Sequence, residues 1–330
     1  MMKLSLMQAV VETLNATYAS PIADALVAAW AHDPGSARYF RASANFIFVF
    51  KREGQPAILR FVHANERTPA AIQAELDYLQ HLAAHNVPVA LPIRSLSGRW
   101  LESVETTLGV FHAVVFELFP DAQYDLDDLS LAQFTRWGSA LGALHQAAEG
   151  YVGTGRASIH DHLRQVEQQL PTHEDAARRM HAALERQIAT LPTSEQTFGL
   201  IHYDFELDNL LWNDQRMGIV DFDDCAAYWF VADIAFALRD LFDDHAEQID
   251  VTNERFQAFV TGYRELRIVT DQELRQLTLF LRVHNLVSFT KLLRAADIDD
   301  AQAAPAWIVD LQAKLVRKVQ AYRAGFAARV

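Results

Sequence analysis

The chain is poor in cysteine, in positive charge and in long apolar runs. Cys225 is its one cysteine. That excludes a disulfide within the chain and a zinc site built on several thiolates. Lysine and arginine total 29 against 42 aspartates and glutamates, a formal net charge of −13. Nucleic acid and anionic membranes repel such a surface, so neither is expected as a partner. No stretch approaches the roughly 18–20 apolar residues of a membrane span. Glu12 and Asn15 interrupt the N-terminal segment before a signal-peptide core is complete, and a cytoplasmic protein is the expectation. What is present is the composition of a folded chain, with 51% hydrophobic and 22% charged residues. A length of 330 residues allows one large domain or two lobes with separate cores.

Residues 5–31 predict two helical segments split at Ser20-Pro21. Residues 37–42, 45–50 and 56–63 predict three short strands, the last two joined by a turn at 51–55. Thr68-Pro69 reads as a helix start, followed by Ile72, Leu76, Leu79 and Leu82 at helical spacing. Further strands are predicted near 100–104 and 110–119. The acidic, turn-rich segment 120–130 reads as a connection between lobes. Beyond it the apolar spacing predicts helices over 130–149, 158–170, 173–190, 231–247, 254–266, 271–295 and 305–326. Short strands interrupt at 199–202, 209–213 and 218–222, the last two joined by the turn Asp214-Gln215-Arg216. The expectation is an α+β protein with a small β-rich N-terminal lobe, 1–119, and a large, mainly helical C-terminal lobe, 120–330.

The strand-rich insert carries the chemistry. It reads His202-Tyr203-Asp204-Phe205-Glu206-Leu207-Asp208-Asn209, then an apolar hairpin, then Asp221-Phe222-Asp223-Asp224. Phosphoryl transfer to a hydroxyl needs a carboxylate to orient the hydroxyl and take its proton, together with oxygen ligands for Mg²⁺, all on one rigid frame. An Asp and an Asn five positions apart, at the two ends of a loop, can face one cavity. The hairpin returns Asp221 beside Asn209, and the Asp carboxylate and Asn carbonyl are hard ligands suited to Mg²⁺.

These residues resemble the aminoglycoside phosphotransferase and choline kinase-like family, distant relatives of protein kinases. Its pattern is His-Gly-Asp-x-x-x-x-Asn, an apolar segment, and Asp-Phe/Trp-(Asp/Glu). The resemblance implies a protein kinase-like two-lobe fold and transfer of the γ-phosphoryl group of ATP or GTP to a small-molecule hydroxyl. The acceptor classes it implies are aminoglycoside, choline, homoserine or sugar-like. Asp204 would be the catalytic base, Asn209 and Asp221 the Mg²⁺ ligands, and His202 a brace for the loop that does not touch substrate. Tyr203 stands at the usual glycine, where it would narrow the approach to Asp204. Arg60 falls where the family places the basic residue that contacts the α/β-phosphates, with Glu75 on the following helix as its partner. The phosphate loop would be Arg41 to Phe46, with Ser43 approaching phosphate. It contains no glycine, a departure from loops whose backbone N–H groups cradle phosphate. Phe116 to Pro120, with Glu117, resembles the hinge whose backbone binds adenine.

Substrate selection is expected from acidic groups near the base: Glu206, Asp208, Asp223 and Asp224, with Asp243 and Asp244 further along. They would suit a cationic alcohol, and Tyr228 or Trp229 would add a cation–π contact. His145 reads as a packed, hydrogen-bonded histidine. Asp233 reads as structural, capping a helix or anchoring the catalytic loop. His160 and His162, two positions apart, do not face one another on a helix. Two other readings stay open. The loop without glycine suits a nucleotide-binding regulatory pseudokinase, although Asp204, Asn209 and Asp221 are intact. A metal-dependent phosphoester hydrolase would need a second ligand cluster.

Overall fold

The computed structural model describes residues 1–119, 122–213, 217–242, 249–298 and 304–328. The expected turn Asp214-Gln215-Arg216, the candidate acids Asp243 and Asp244, and Pro120 and Asp121 of the expected connection lie outside the described residues. The chain starts with helices α1 (Leu4–Val11) and α2 (Pro21–Val27). The Ser20 hydroxyl accepts from the Ile22 N–H at 3.1 Å, and Pro21 follows at the first helical position. Strands β1 (Arg38–Ala42), β2 (Phe46–Arg52) and β3 (Gln55–His63) come next. The β2–β3 hairpin is tighter than the expected five-residue turn. Glu53 and Gly54 carry φ of 52° and 77°, and two consecutive left-handed residues make the two-residue turn that matches strand twist.

Helix α3 (Pro69–Ala84) and strands β4 (Pro92–Ile93), β5 (Leu101–Thr106) and β6 (Gly109–Glu117) follow. Then come α4 (Leu131–Ala148), α5 (Ile159–Gln169) and α6 (Asp175–Ile188). The strand-rich insert holds β7 (Phe198–Ile201), β8 (Leu210–Trp212), β9 (Met217–Ile219) and β10 (Ala226–Trp229). The remainder is α7 (Phe230–Ala237), α8 (Glu254–Leu266), α9 (Asp271–Leu274), α10 (Leu277–Ala295) and α11 (Ala306–Ala327). Two expected helices are shorter than their spacing suggested. The one expected over 231–247 gives way to a 3-10 turn at Arg239–Leu241, and 271–295 is divided between α9 and α10. No described helix is long and apolar enough to cross a membrane.

The chain forms two compact units: Met1–Leu76 with Ala90–Phe119 and Lys291–Ala321, and Asp77–Val89 with Pro120–Thr290 and Tyr322–Val330. In the first, the described residues form a six-stranded antiparallel sheet of order β1-β2-β3-β6-β4, with β5 also paired to β6. Alternation sets its inner face. Phe46, Phe48 and Phe50 of β2 are buried between half-buried Ile47 and Val49. Phe46 stacks on Phe61 at 5.1 Å, and Phe61 meets Phe111 edge-on at 5.6 Å. Central β6, paired on both edges, reads as a continuous buried run from Phe111 to Phe116.

In the second unit, α4 crosses α8 on a glycine seam. A Cβ on Gly138 would stand 1.8 Å from the Phe259 carbonyl, and one on Gly262 would stand 1.8 Å from the Thr135 carbonyl. Only the missing side chains allow this approach. It brings His145 of α4 within hydrogen-bond reach of Tyr263 of α8. β7 pairs with β10, and β8 with β9, in two small antiparallel ladders. β10 has no sequence forecast, because four residues carry too little periodicity to separate a strand from a helix start.

Candidate active site

The loop from His202 to Asn209 follows β7, and its backbone is held by one carboxylate. Asp233, in the first turn of α7 and fully buried, accepts from the His202 N–H at 2.8 Å and the Tyr203 N–H at 2.9 Å. Its Oδ2 also accepts from His145 Nε2 at 3.1 Å, and the Tyr263 hydroxyl donates to His145 Nδ1 at 2.9 Å. Burial lowers the His145 pKa despite Asp233, and burial raises that of Tyr263. A neutral imidazole and a protonated phenol fit this donor order. Asp233 thus anchors the loop, and the residue before α7, Trp229, makes no side-chain capping hydrogen bond.

His202 is the second brace. Its Nε2 donates to the Val220 carbonyl at 3.0 Å, and its Nδ1 accepts from the Asp204 N–H at 3.3 Å. Both bonds require one neutral tautomer, and burial pushes the His202 pKa down accordingly. The ring is fully buried between Phe222 at 4.3 Å and Phe205 at 5.5 Å. Tyr203 has φ of 74°, a left-handed conformation that is costly for a bulky residue and free for glycine. Its ring, 3% exposed, packs among His162, Tyr228, Phe236 and His284. Packing stabilises what the backbone strains.

Asp204 keeps 36% of its side chain exposed. Asn209 Nδ2 donates to the Asp204 carbonyl at 2.9 Å and to its Oδ2 at 3.1 Å. With its amide nitrogen spent, Asn209 has Oδ1 left as an atom that could hold a cation. The β8–β9 hairpin brings Asp221 back to Asn209. Leu210 pairs with Ile219, and the Val220 N–H donates to the Asn209 carbonyl at 3.1 Å. Asp221 carries φ of 65°, a conformation Asp tolerates better than most residues.

Arg239 has no sequence forecast and stands at the centre of the acidic cluster. Its guanidinium lies 3.0 Å from Asp204 Oδ1 and also contacts Glu206 Oε2. Burial works against its charge, but Asp204, Glu206 and Asp240 together raise its pKa. Burial, then the Asp204 charge, push the Glu206 carboxyl up to about 7. Asp208 is exposed, Asp224 is half-buried and Asp223 is buried, with its carbonyl accepting from Arg156. Tyr228 and Trp229 do not offer the expected open rings. Tyr228 is fully buried and its hydroxyl bonds His162 Nδ1 at 2.7 Å, while Trp229 donates to the Pro192 carbonyl at 2.8 Å.

In the first unit, Arg60 and Glu75 form a two-pronged ion pair, at 2.9 Å and 2.8 Å, with the guanidinium also 4.8 Å from the Phe116 ring. Both residues are buried. Ser43 is exposed between β1 and β2, where its N–H donates to the Asn45 carbonyl at 3.1 Å in a tight turn. Glu117 is exposed at the end of β6, paired with Ala57.

Residues 36–269 match the phosphotransferase enzyme family. The amicoumacin kinase of Bacillus subtilis (strain 168) is 26% identical over 275 residues, 79% of this chain and 81% of that one. The homoserine kinase of Rhodospirillum rubrum is 27% identical over 258 residues, covering 73% of each. A solved amicoumacin kinase in complex with AMP-PNP, Ca²⁺ and Ami superposes with a TM-score of 0.75 at 22% identity, over 90% of this chain and 92% of that one. That likeness shows the fold, a kinase-like arrangement of an antiparallel sheet region and a helical region. The chain belongs to the phosphotransferase enzyme family and is a phosphotransferase with an alcohol group as acceptor.

Proposed function

We propose that this enzyme transfers the γ-phosphoryl group of ATP or GTP, with Mg²⁺, to a hydroxyl of a small amine-bearing alcohol. The observation that carries the reading is the clamped carboxylate of Asp204, partly exposed and set on a loop braced by Asp233 and His202. In the proposed reaction the acceptor oxygen bonds to the γ-phosphorus as the bond to the bridging oxygen breaks. The hydroxyl proton goes to Asp204, and the nucleoside diphosphate leaves. Mg²⁺ fits the donor set of Asn209 Oδ1 and the Asp221 carboxylate, both hard oxygens. Among the described residues no group of three or more His, Cys, Asp or Glu could hold a metal. When bound, the ion neutralises charge on the phosphates.

Arg60, fixed by Glu75, is the cation proposed for the α/β-phosphates. Ser43 in its turn and the backbone around Glu117 are the further nucleotide contacts proposed. The acceptor side rests on charge. Exposed Asp208 and half-buried Asp224 flank the base and its metal ligands on a chain of net charge −13, which favours a cationic acceptor, whereas Glu206 is paired with Arg239 and Asp223 is buried. The homoserine kinase relative is named for a hydroxyl compound that also bears an amine. The test is a thermal-shift screen with ATP and GTP, with and without Mg²⁺, followed by a phosphate-transfer screen over amine-bearing and neutral alcohols read by mass gain. Mg²⁺-dependent nucleotide stabilisation and preference for the amines are expected. Equal transfer to neutral alcohols refutes the acceptor class, and metal-independent transfer refutes the role of Asn209 and Asp221.

A further inference from the structure

We propose that Arg239 is a positioning residue for Asp204, fixing its Oδ1 while Asn209 fixes Oδ2, with Glu206 holding the guanidinium in place; this rests on the reading of Asp204 as the base. The geometry is two-sided. Asn209 Nδ2 lies 3.1 Å from Oδ2 and Arg239 lies 3.0 Å from Oδ1. A carboxylate bonded on one oxygen still turns about its side-chain torsions, whereas one bonded on both does not. Each carboxylate oxygen has room for more than one donor, so Oδ1 still accepts from a hydroxyl.

The support for Arg239 is itself rigid. It opens the 3-10 turn that directly follows α7, and every residue of α7 is buried. The same helix carries Asp233, which holds the His202 and Tyr203 backbone. α7 therefore holds the backbone of the catalytic loop through Asp233, and the turn that starts two residues past its end carries the side chain that meets the base. Arg239 keeps 18% of its side chain exposed and Glu206 22%, so the contact is largely shielded from the screening that empties most surface ion pairs of effect. Glu206 is needed in this arrangement because an arginine has several rotatable bonds. Its carboxylate fixes the far side of the guanidinium.

Positioning predicts a kinetic signature that phosphate binding does not. Arg239→Ala is expected to lower kcat roughly 10- to 100-fold with KM for nucleotide nearly unchanged, the scale of losing orientation at a general base. Arg239→Lys, a point charge without the fork, is expected to recover part of it. Guanidinium chloride at low millimolar concentration is expected to restore turnover to Arg239→Ala and not to the wild type. On an Asp204→Asn background, removing Arg239 is expected to change the residual rate little, because its only route to the reaction is Asp204. Circular dichroism and the unfolding temperature of each variant establish that it is folded. Wild-type or raised kcat in folded Arg239→Ala overturns the proposal. So does an equal loss on both backgrounds, which would make Arg239 act independently of Asp204. Full turnover in Asp204→Asn alone is a different failure, that of the base assignment itself.

Discussion

Replacing Asp233 by asparagine keeps the volume of the side chain and removes its charge at the point where the catalytic loop is held. The carboxylate accepts from three donors, the N–H groups of His202 and Tyr203 and Nε2 of His145, at 2.8, 2.9 and 3.1 Å. An amide has one oxygen. Turned toward His202 and His145, it sets its own NH₂ against the Tyr203 N–H. One charge-assisted bond is then lost, about 1.5–3 kcal/mol, and two others weaken from charged to neutral, about 0.5–1.5 kcal/mol each. The sum is about 2.5–6 kcal/mol, a large share of a typical folding stability of about 5–15 kcal/mol. In thermal unfolding this corresponds to a drop of roughly 5–24 °C for a domain of this size. Below that temperature Asp233→Asn is expected to lose kcat about 100-fold, because the displaced His202-Tyr203 backbone carries Asp204 with it. A variant that unfolds within about 2 °C of the wild type and turns over normally would refute the anchoring role.

Two further perturbations probe the frame and the acidic cluster. Gly138→Ala places a methyl where the Phe259 carbonyl stands 1.8 Å away. α4 and α8 must separate, and a loss of about 1–3 kcal/mol is expected, with exposure of the Tyr263–His145 contact detected as faster hydrogen exchange at both residues. Glu206→Gln reports on charge. The folded state holds the Glu206 proton up to about pH 7 where an ordinary carboxyl of this type loses it near 4.5. Wild-type stability therefore falls as pH rises from 4.5 through 7, by at most ~3 kcal/mol. The glutamine variant is expected to escape that loss, with its advantage in unfolding temperature growing from pH 5 to pH 8. An advantage that is constant across that range would show that Glu206 does not titrate there.

The grouping of the candidate residues was legible because it is local. His202, Asp204, Asn209 and Asp221 lie within one strand-loop-hairpin whose spacing is dictated by backbone geometry, and the hairpin does return Asp221 to Asn209. The pairing of Arg60 with Glu75 was legible for a related reason, since a strand and the next helix leave few partners for a buried cation. Arg239 was not legible. It lies 35 positions beyond Asp204, in a 3-10 turn that apolar spacing had assigned to a longer helix. Tyr203 was misleading in a different way. The left-handed backbone that favours glycine is kept, while the ring leaves for an aromatic cluster whose members come from α5, β10, α7 and α10. The same tertiary packing buries Tyr228 and Trp229, which periodicity alone could not separate from exposed aromatics.

The central claim is that Asp204 takes the acceptor's proton, and Asp204→Asn tests it most directly. With Mg·ATP and an acceptor identified by mass gain, the variant is expected to lose kcat by about 10²–10⁴-fold, the usual contribution of a general base. Its nucleotide affinity and unfolding temperature should stay near the wild type. Wild-type turnover by a folded Asp204→Asn enzyme would contradict the account.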